Sequence, residues 1–274
     1  MTHKRHNPIL FTDLDGTLLD FKSYAYSESL PYLKQLLESG IPVVFCSSKT
    51  LPEQLALMAQ MDLHLPAIVE NGGALYLPHP DKCADPADWA ACGQLIRLGP
   101  TADEIRSLLQ KLEALLGFAF LSYAQIGADG IAGMTGLSTD AASRAANRGF
   151  SETLTAPFDP PQQQTLRQQL NKVGLQVECG GRFHTVTGKG IDKGNAVRRM
   201  LLGPETRQHF GPRRSIGIGD GPNDTAMLLA VDQAFLVQNH KGQWSNVQLP
   251  HLTRIDQPGP RGWVQLAQQL LVFS

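Results

Sequence analysis

Apolar positions along the chain fall into short continuous runs separated by stretches with helical spacing. Pro8–Asp13, Ile41–Cys46, Ala67–Val69, Ser215–Gly219 and Ala234–Val237 are apolar runs bounded by polar or turn residues, which predicts buried strands. Helical patterns lie between them. Ser27 is placed to cap a helix through Leu30, Leu33, Leu36 and Leu37 that ends at Gly40. Thr50 and Glu53 have capping-box spacing, and a helix is expected from there to Met61. Asp192 is placed to cap a helix running to Leu202. Pro222–Ala230 reads as a helix with proline in its first turn, and Gly262–Val272 as a closing helix. Strand and helix alternate at both ends of the chain, which predicts a parallel sheet covered by helices.

The middle of the chain has a different pattern. Pro78, Pro80 and Pro86 interrupt it after the third strand. Thr101–Leu116 and Pro161–Val173 carry helical spacing, and Phe118–Tyr123 reads as a strand. Glycine-rich and arginine-bearing segments then run to Phe150. Leu175–Cys179 and Arg182–Thr187 flank Gly180-Gly181, a two-residue hairpin signal. The expected fold is α/β: a Rossmann-like parallel-sheet core from residues 1–85 and 188–274, with an inserted α+β domain, residues 86–187.

The 274 residues suit one large domain or two modest ones. With 42% hydrophobic residues and 26 glycines a sizeable core is available, so whole-chain disorder is excluded. The chain carries 24 basic and 25 acidic side chains, net charge −1, which argues against a nucleic-acid binder. No apolar run approaches the roughly 18–20 residues of a membrane span, and the basic start leads into no signal-type apolar stretch. The expectation is a cytoplasmic protein with no membrane and no nucleic-acid partner. Four widely spaced cysteines with no C-x-x-C pair suit a reducing compartment and no zinc site.

Candidate chemistry sits where strands end. Asp13-Leu14-Asp15-Gly16-Thr17 follows the first strand, and in open α/β sheets ligands bind beyond the strands' carboxyl ends. Two carboxylates this close repel unless a proton or a hard cation such as Mg²⁺ relieves them. An Asp-Gly turn explains the same five residues without any ligand. Gly217-Ile218-Gly219-Asp220-Gly221-Pro222-Asn223-Asp224 again joins a strand to a helix. It reads equally as an acidic site or as a glycine-rich loop with a capping aspartate. Ser47-Ser48-Lys49-Thr50 can hold an anion with hydroxyls and helix-start N–H groups, and Thr50 caps the helix in either case. Lys193 at a helix start opposes the helix dipole, so it either seeks an anion or is an exposed surface lysine. Other motifs fail. Pro222 stands where a dinucleotide fingerprint needs glycine, Gly190 stands where a Walker loop needs Ser or Thr, and no G-x-S-x-G is present.

The four segments together, Asp-x-Asp-Gly-Thr, Ser, Lys and Gly-Asp-x-x-x-Asp in that order, resemble the haloacid-dehalogenase-like phosphatases. The insert resembles their type IIB cap. Ser47-Ser48-Lys49-Thr50, Glu70-Asn71-Gly72-Gly73, the acidic loop and Arg182-Phe183-His184 resemble the mannosyl-3-phosphoglycerate phosphatases within that group. The resemblance implies Asp13 as nucleophile, Asp15 as general acid and base, and Lys193 as a catalytic cation. It implies Mg²⁺ held by Asp13, Asp15 (through its carbonyl), Asp220 and Asp224. It implies phosphate donors at Leu14, Ser47, Lys193 and Asn223. Lys49, Asn71, Arg144, Arg148, Arg182 and His184 are the candidates for the rest of the substrate, a small phosphorylated sugar or glycosyl-phosphoglycerate. A broader sugar-phosphate phosphatase, or a sugar-phosphate-binding protein without catalysis, are the alternatives.

Overall fold

A computed structural model describes residues 8–79, 85–180, 183–204, 206, 210, 211 and 213–272. The chain divides into two compact units, Met1–Ser47 with Leu63–Ile68 and Asp192–Ser274, and Ser48–Asp62 with Val69–Ile191.

The first unit is a parallel sheet with the strand order Leu252–Pro258, Gln233–Gln238, Ser215–Gly219, Ile9–Thr12, Val43–Cys46, Ala67–Val69. Every pairing between these neighbours is parallel. Ile9–Thr12, Val43–Cys46 and Ser215–Gly219 are buried at every position, as expected of parallel strands covered on both faces. From Ile9–Thr12 the chain adds strands on one side, then returns to add Ser215–Gly219 on the other. The strand order therefore reverses between these two, and a crevice for ligands opens at such a point.

Glycine sets one close approach that matters for the site. The helix Lys193–Leu202, capped by the Asp192 carboxylate accepting from the Asn195 N–H at 2.7 Å, packs against Thr225–Ala230. A Cβ at Gly194 would stand 2.2 Å from the Ala226 carbonyl oxygen. Gly194→Ala is therefore expected to force the helices apart, at a cost of about 3 kcal/mol by the usual scale of overpacking. The expected readout is a lower Tm in thermal unfolding together with weaker activity, because Lys193 heads the displaced helix.

The second unit contains the antiparallel pair Ala74–Leu77 and Gln94–Arg97, and a three-stranded antiparallel sheet in the order Glu152–Leu154, Phe183–Gly188, Leu175–Gly180. One face of that sheet packs on the helices Ala102–Leu116 and Pro160–Lys172 through Ile105, Leu109, Leu166, Leu170, Leu175 and Val186.

Several sequence expectations are corrected. Phe118–Tyr123 is not a strand: Ser122 and Gln125 form a capping box, and Tyr123 begins the helix Tyr123–Thr135. The glycine-rich stretch beyond it is helical, as is Thr139–Ala146, although Gly127 kinks the first helix with φ 65°. Ser27 does not cap the first helix, which spans Leu30–Glu38 with Pro31 in its first turn. The Ser29 hydroxyl is used instead on the Leu18 carbonyl, 2.9 Å away. Cys46 is a free, buried thiol, but Cys92 is disulfide-bonded, against the reading of the cysteine spacing; sequence separation does not report which sulfurs folding brings together. No described helix is long and apolar enough to cross a membrane.

Candidate active site

Asp13 is the residue immediately after the strand Ile9–Thr12, and Asp220 immediately follows Ser215–Gly219. The two strands are paired, so both carboxylates emerge at the same sheet edge. The Asp13 N–H donates to the Ile218 carbonyl at 3.0 Å, which carries the pairing one residue past the strand and fixes the nucleophile candidate's backbone. The chain then turns tightly: the Leu14 carbonyl accepts from the N–H groups of Thr17 and Leu19 at 3.2 and 2.8 Å. Asp15 is half-buried within that turn.

Lys193 joins the acidic residues. Its ammonium is buried and donates to Asp13 Oδ1 at 2.6 Å and to Asp224 Oδ1 at 2.7 Å. Asp224 is fully buried, and its other oxygen accepts from the N–H groups of Asp220 and Gly221 at 3.0 and 3.1 Å. One oxygen each from Asp13, Asp220 and Asp224 lie within 4.8 Å of one another. Burial, then the Asp224 charge, hold the Asp13 carboxyl well above the usual range, partly offset by Lys193. Burial, then Asp224, push Asp220 up to about 7. Burial works against the Lys193 charge, but Asp13 and Asp224 overcome it and hold the ammonium's pKa well above its ordinary value. One ammonium does not neutralise three carboxylates. A hard divalent cation fits this all-oxygen donor set and would relieve the remaining repulsion.

Ser47 is buried at the end of Val43–Cys46, with its N–H on the Ile68 carbonyl at 3.1 Å. Asn223 is exposed in the short turn Pro222–Asp224. These residues, with Leu14, all belong to the first unit.

The candidates for the rest of the substrate that the structure describes belong to the second unit. Arg148 is 8% exposed and already engaged: its guanidinium donates to the Ser48 carbonyl at 3.0 Å and to the Ser151 hydroxyl at 2.8 Å, and lies 3.7 Å from Glu70. Arg144 is half-buried, and its carbonyl accepts from the Thr50 hydroxyl at 2.9 Å. The Lys49 carbonyl accepts from the Glu70 N–H at 3.0 Å. Asn71 is buried and donates to Glu178 at 3.3 Å, while its Oδ1 has no hydrogen-bond partner among the described residues. His184 is half-buried, with its ring edge-on to Phe158 at 5.2 Å. Burial, then the Arg167 charge, lower its pKa. Arg182 lies outside the described residues.

Glu70, to which the sequence reading gave no role, organises this region. Its carboxylate accepts from the N–H groups of Gly149 and Phe150 at 2.7 and 3.0 Å and from the Ser151 hydroxyl. Glu70 and Asn71 both adopt left-handed φ, 51° and 56°, an uncommon pair for non-glycine residues. The only sequence signal was an acid directly after a buried strand and before Asn-Gly-Gly. Glu70→Gln is expected to leave Arg148 facing a neutral amide and to turn an NH₂ toward N–H donors. Thermal unfolding should show a loss of about 3 kcal/mol, the scale of a broken buried ion pair.

The haloacid dehalogenase-like hydrolase family matches the chain over residues 10–85 and 150–246. The chain belongs to the haloacid dehalogenase-like hydrolases. Two curated relatives cover this hydrolase almost end to end. The glucosyl-3-phosphoglycerate/mannosyl-3-phosphoglycerate phosphatase of Methanococcoides burtonii is 34% identical over 266 residues, 96% of this chain and 97% of that protein. The protein of the same name from Persephonella marina is 31% identical over 272 residues, with the same coverage. Among solved structures, a phosphatase of the superfamily from Bacteroides thetaiotaomicron superposes with a TM-score of 0.67 at 19% identity, covering 98% of this chain and 97% of its own. A subclass IIB sugar phosphatase superposes with a TM-score of 0.64 at 15% identity, covering 97% and 99%. The hydrolase thus has the family's fold, and it is a phosphoric monoester hydrolase.

Proposed function

We propose that this chain is a Mg²⁺-dependent phosphatase that hydrolyses mannosyl-3-phosphoglycerate to mannosylglycerate and phosphate through an aspartyl-phosphate intermediate. The observation that carries the chemistry is the buried cluster in which Lys193 bridges Asp13 and Asp224 beside Asp220. The substrate reading is supported by the names of the two full-length relatives. Those names include the glucosyl compound, so glucosyl-3-phosphoglycerate is the second substrate in this reading.

In this mechanism an Asp13 carboxylate oxygen attacks phosphorus and the ester P–O bond breaks. Asp15 gives its proton to the departing alkoxide, then takes one from the water that attacks the aspartyl phosphate and frees Asp13. An ammonium has three donors, and Lys193 spends two on Asp13 and Asp224, which leaves the third for a phosphoryl oxygen. Leu14 N–H, Ser47 and Asn223 supply further donors. Asp13, Asp220, Asp224 and the Asp15 carbonyl would hold Mg²⁺, which when bound offsets the repulsion between nucleophile and phosphate. The inserted segment, residues 86–187, serves as the cap and carries recognition of the rest of the substrate, with Lys49 and Asn71 from the flanking loops. Arg144, Arg182 and His184 are its candidates for direct contact. Arg148 acts through the Ser48 carbonyl that it holds.

The test is phosphate release with Mg²⁺ from mannosyl-3-phosphoglycerate, glucosyl-3-phosphoglycerate, mannose 6-phosphate and 3-phosphoglycerate. The two glycosyl compounds are expected to exceed the others at least about tenfold in kcat/KM, the worth of one extra binding contact. Equal, slow turnover of all four would overturn the substrate reading and leave a broad sugar-phosphate phosphatase.

A further inference from the structure

We infer that Trp263 is a positioning residue for phosphoryl binding: through the Thr12 hydroxyl it sets the direction of the Leu14 N–H. The inference rests on the phosphatase reading, in which that N–H meets a phosphoryl oxygen.

Trp263 lies in the first turn of the helix Arg261–Val272 and is fully buried, as is Thr12 at the end of the strand Ile9–Thr12. The indole Nε1–H donates to Thr12 Oγ1 at 3.0 Å, and Thr12 Oγ1 donates to the Asp13 carbonyl at 2.7 Å. The direction of this relay is forced. An indole N–H can only donate, so Thr12 Oγ1 must accept from it. The hydroxyl's single proton is then turned toward the Asp13 carbonyl. Without the indole the hydroxyl has no such constraint.

The Asp13 carbonyl and the Leu14 N–H are two ends of one planar trans peptide, and they point in opposite directions. Pinning the carbonyl pins the N–H. The following peptide is also fixed, because the Leu14 carbonyl accepts from Thr17 and Leu19. Among the described residues nothing accepts from the Leu14 N–H, although Leu14 is fully buried. A donor held this way, at the residue after Asp13, faces an acceptor that the folded chain does not supply. The series from indole N–H through hydroxyl and carbonyl to amide also polarises that N–H and makes it a stronger donor.

The relay makes a prediction that packing alone does not. Trp263→Phe keeps an aromatic ring and removes the N–H. Thr12→Val keeps the shape and removes the hydroxyl, and Thr12→Ser keeps the hydroxyl. Calorimetric binding of orthovanadate with Mg²⁺ reads oxyanion affinity without turnover, and kinetics on mannosyl-3-phosphoglycerate read the reaction. Trp263→Phe is expected to weaken vanadate about fivefold and Thr12→Val about tenfold, below the 10²–10³ of deleting a donor outright because the N–H is misaimed rather than absent. In each variant kcat falls by the matching factor with KM within about twofold, since the donor matters most where charge develops. Thr12→Ser restores vanadate affinity. The double variant Thr12→Val with Trp263→Phe is no worse than Thr12→Val alone, because both cut one relay. Vanadate affinities within twofold of wild type, with only Tm lowered, would overturn the relay and leave the pair a packing contact. If Trp263→Phe does not fold, the Thr12 pair decides the same question. A wild-type protein that binds no vanadate at all overturns the phosphate-site reading itself, a result distinct from equal binding by wild type and variants.

Discussion

Asp13→Asn abolishes phosphate release and leaves the metal-free fold at least as stable. An amide oxygen is a poor nucleophile and cannot carry the phosphoryl group, so the expected loss in kcat is about 10⁴-fold or more, as for removal of other enzymes' nucleophiles. The stability arm follows from the electrostatics. Burial and Asp224 already disfavour a charged Asp13, and Lys193 offsets only part of this. A neutral side chain of the same shape removes that repulsion, and Lys193 keeps its contact with Asp224. Thermal unfolding in chelator should show a Tm no lower than wild type at pH 8. Residual turnover of more than a few per cent would reject Asp13 as nucleophile. A clearly lower Tm would show that the Lys193–Asp13 pair outweighs the crowding.

The second large effect links the metal to pH. Chelating divalent cations is expected to stop turnover and to leave a protein that loses stability as pH rises. Asp220 titrates at about 7 in the folded chain, against an ordinary 3.8. Its folded pKa is raised, so between these values the folded state holds a proton that the unfolded state has released. Stability is then complete below about pH 4 and is lost progressively as pH rises through 7. At about 1.4 kcal/mol per pKa unit the loss is on the order of a few kcal/mol, a drop of several degrees in Tm. Saturating Mg²⁺ at pH 8 should recover most of it, because the cation binds only the folded arrangement of carboxylates. Unfolding curves at pH 5 and pH 8, with chelator and with Mg²⁺, test both halves. A metal-free Tm that rises with pH, or that ignores Mg²⁺ at pH 8, would reject the acidic cluster as the cation site.

The first unit was largely legible in the sequence because its signals are local. Buried parallel strands appear as apolar runs, and the residues that end them, Asp13, Ser47 and Asp220, are read directly from where the runs stop. Ala67–Val69 and Ser215–Gly219 have the predicted bounds, and Thr50 with Glu53 forms the predicted capping box. The strand Leu252–Pro258 had no such signal. It lies at the end of the strand order, and Thr253, Arg254, Asp256 and Gln257 are exposed, so no apolar pattern marks it. Gln94–Arg97 was missed for the same reason. Phe118 and Phe120 looked like strand residues because they are aromatic, but they fill the core under helices, ring against ring at 5.7 Å. The engagement of Arg148 with Ser48, one hundred positions away, is a long-range fact that residue type cannot reveal. The same holds for Trp263 on Thr12.

The chain order of the first unit has a consequence for how the protein acquires its activity. Ile9–Thr12 pairs on one side with Ser215–Gly219, and Thr12 meets Trp263 across 251 positions. Contacts this distant carry a loop-closure cost that local ones avoid, and folds rich in them form slowly. The second unit draws most of its residues from the continuous stretch Val69–Ile191, so it can condense while the first is still an open sheet. A ribosome delivers Asp13 before Lys193, Asp220 and Asp224. Until those three residues are made, Asp13 is without the side chains that crowd and temper it. The mutual repulsion of the carboxylates arises only when folding brings them together, along with the lysine that tempers it.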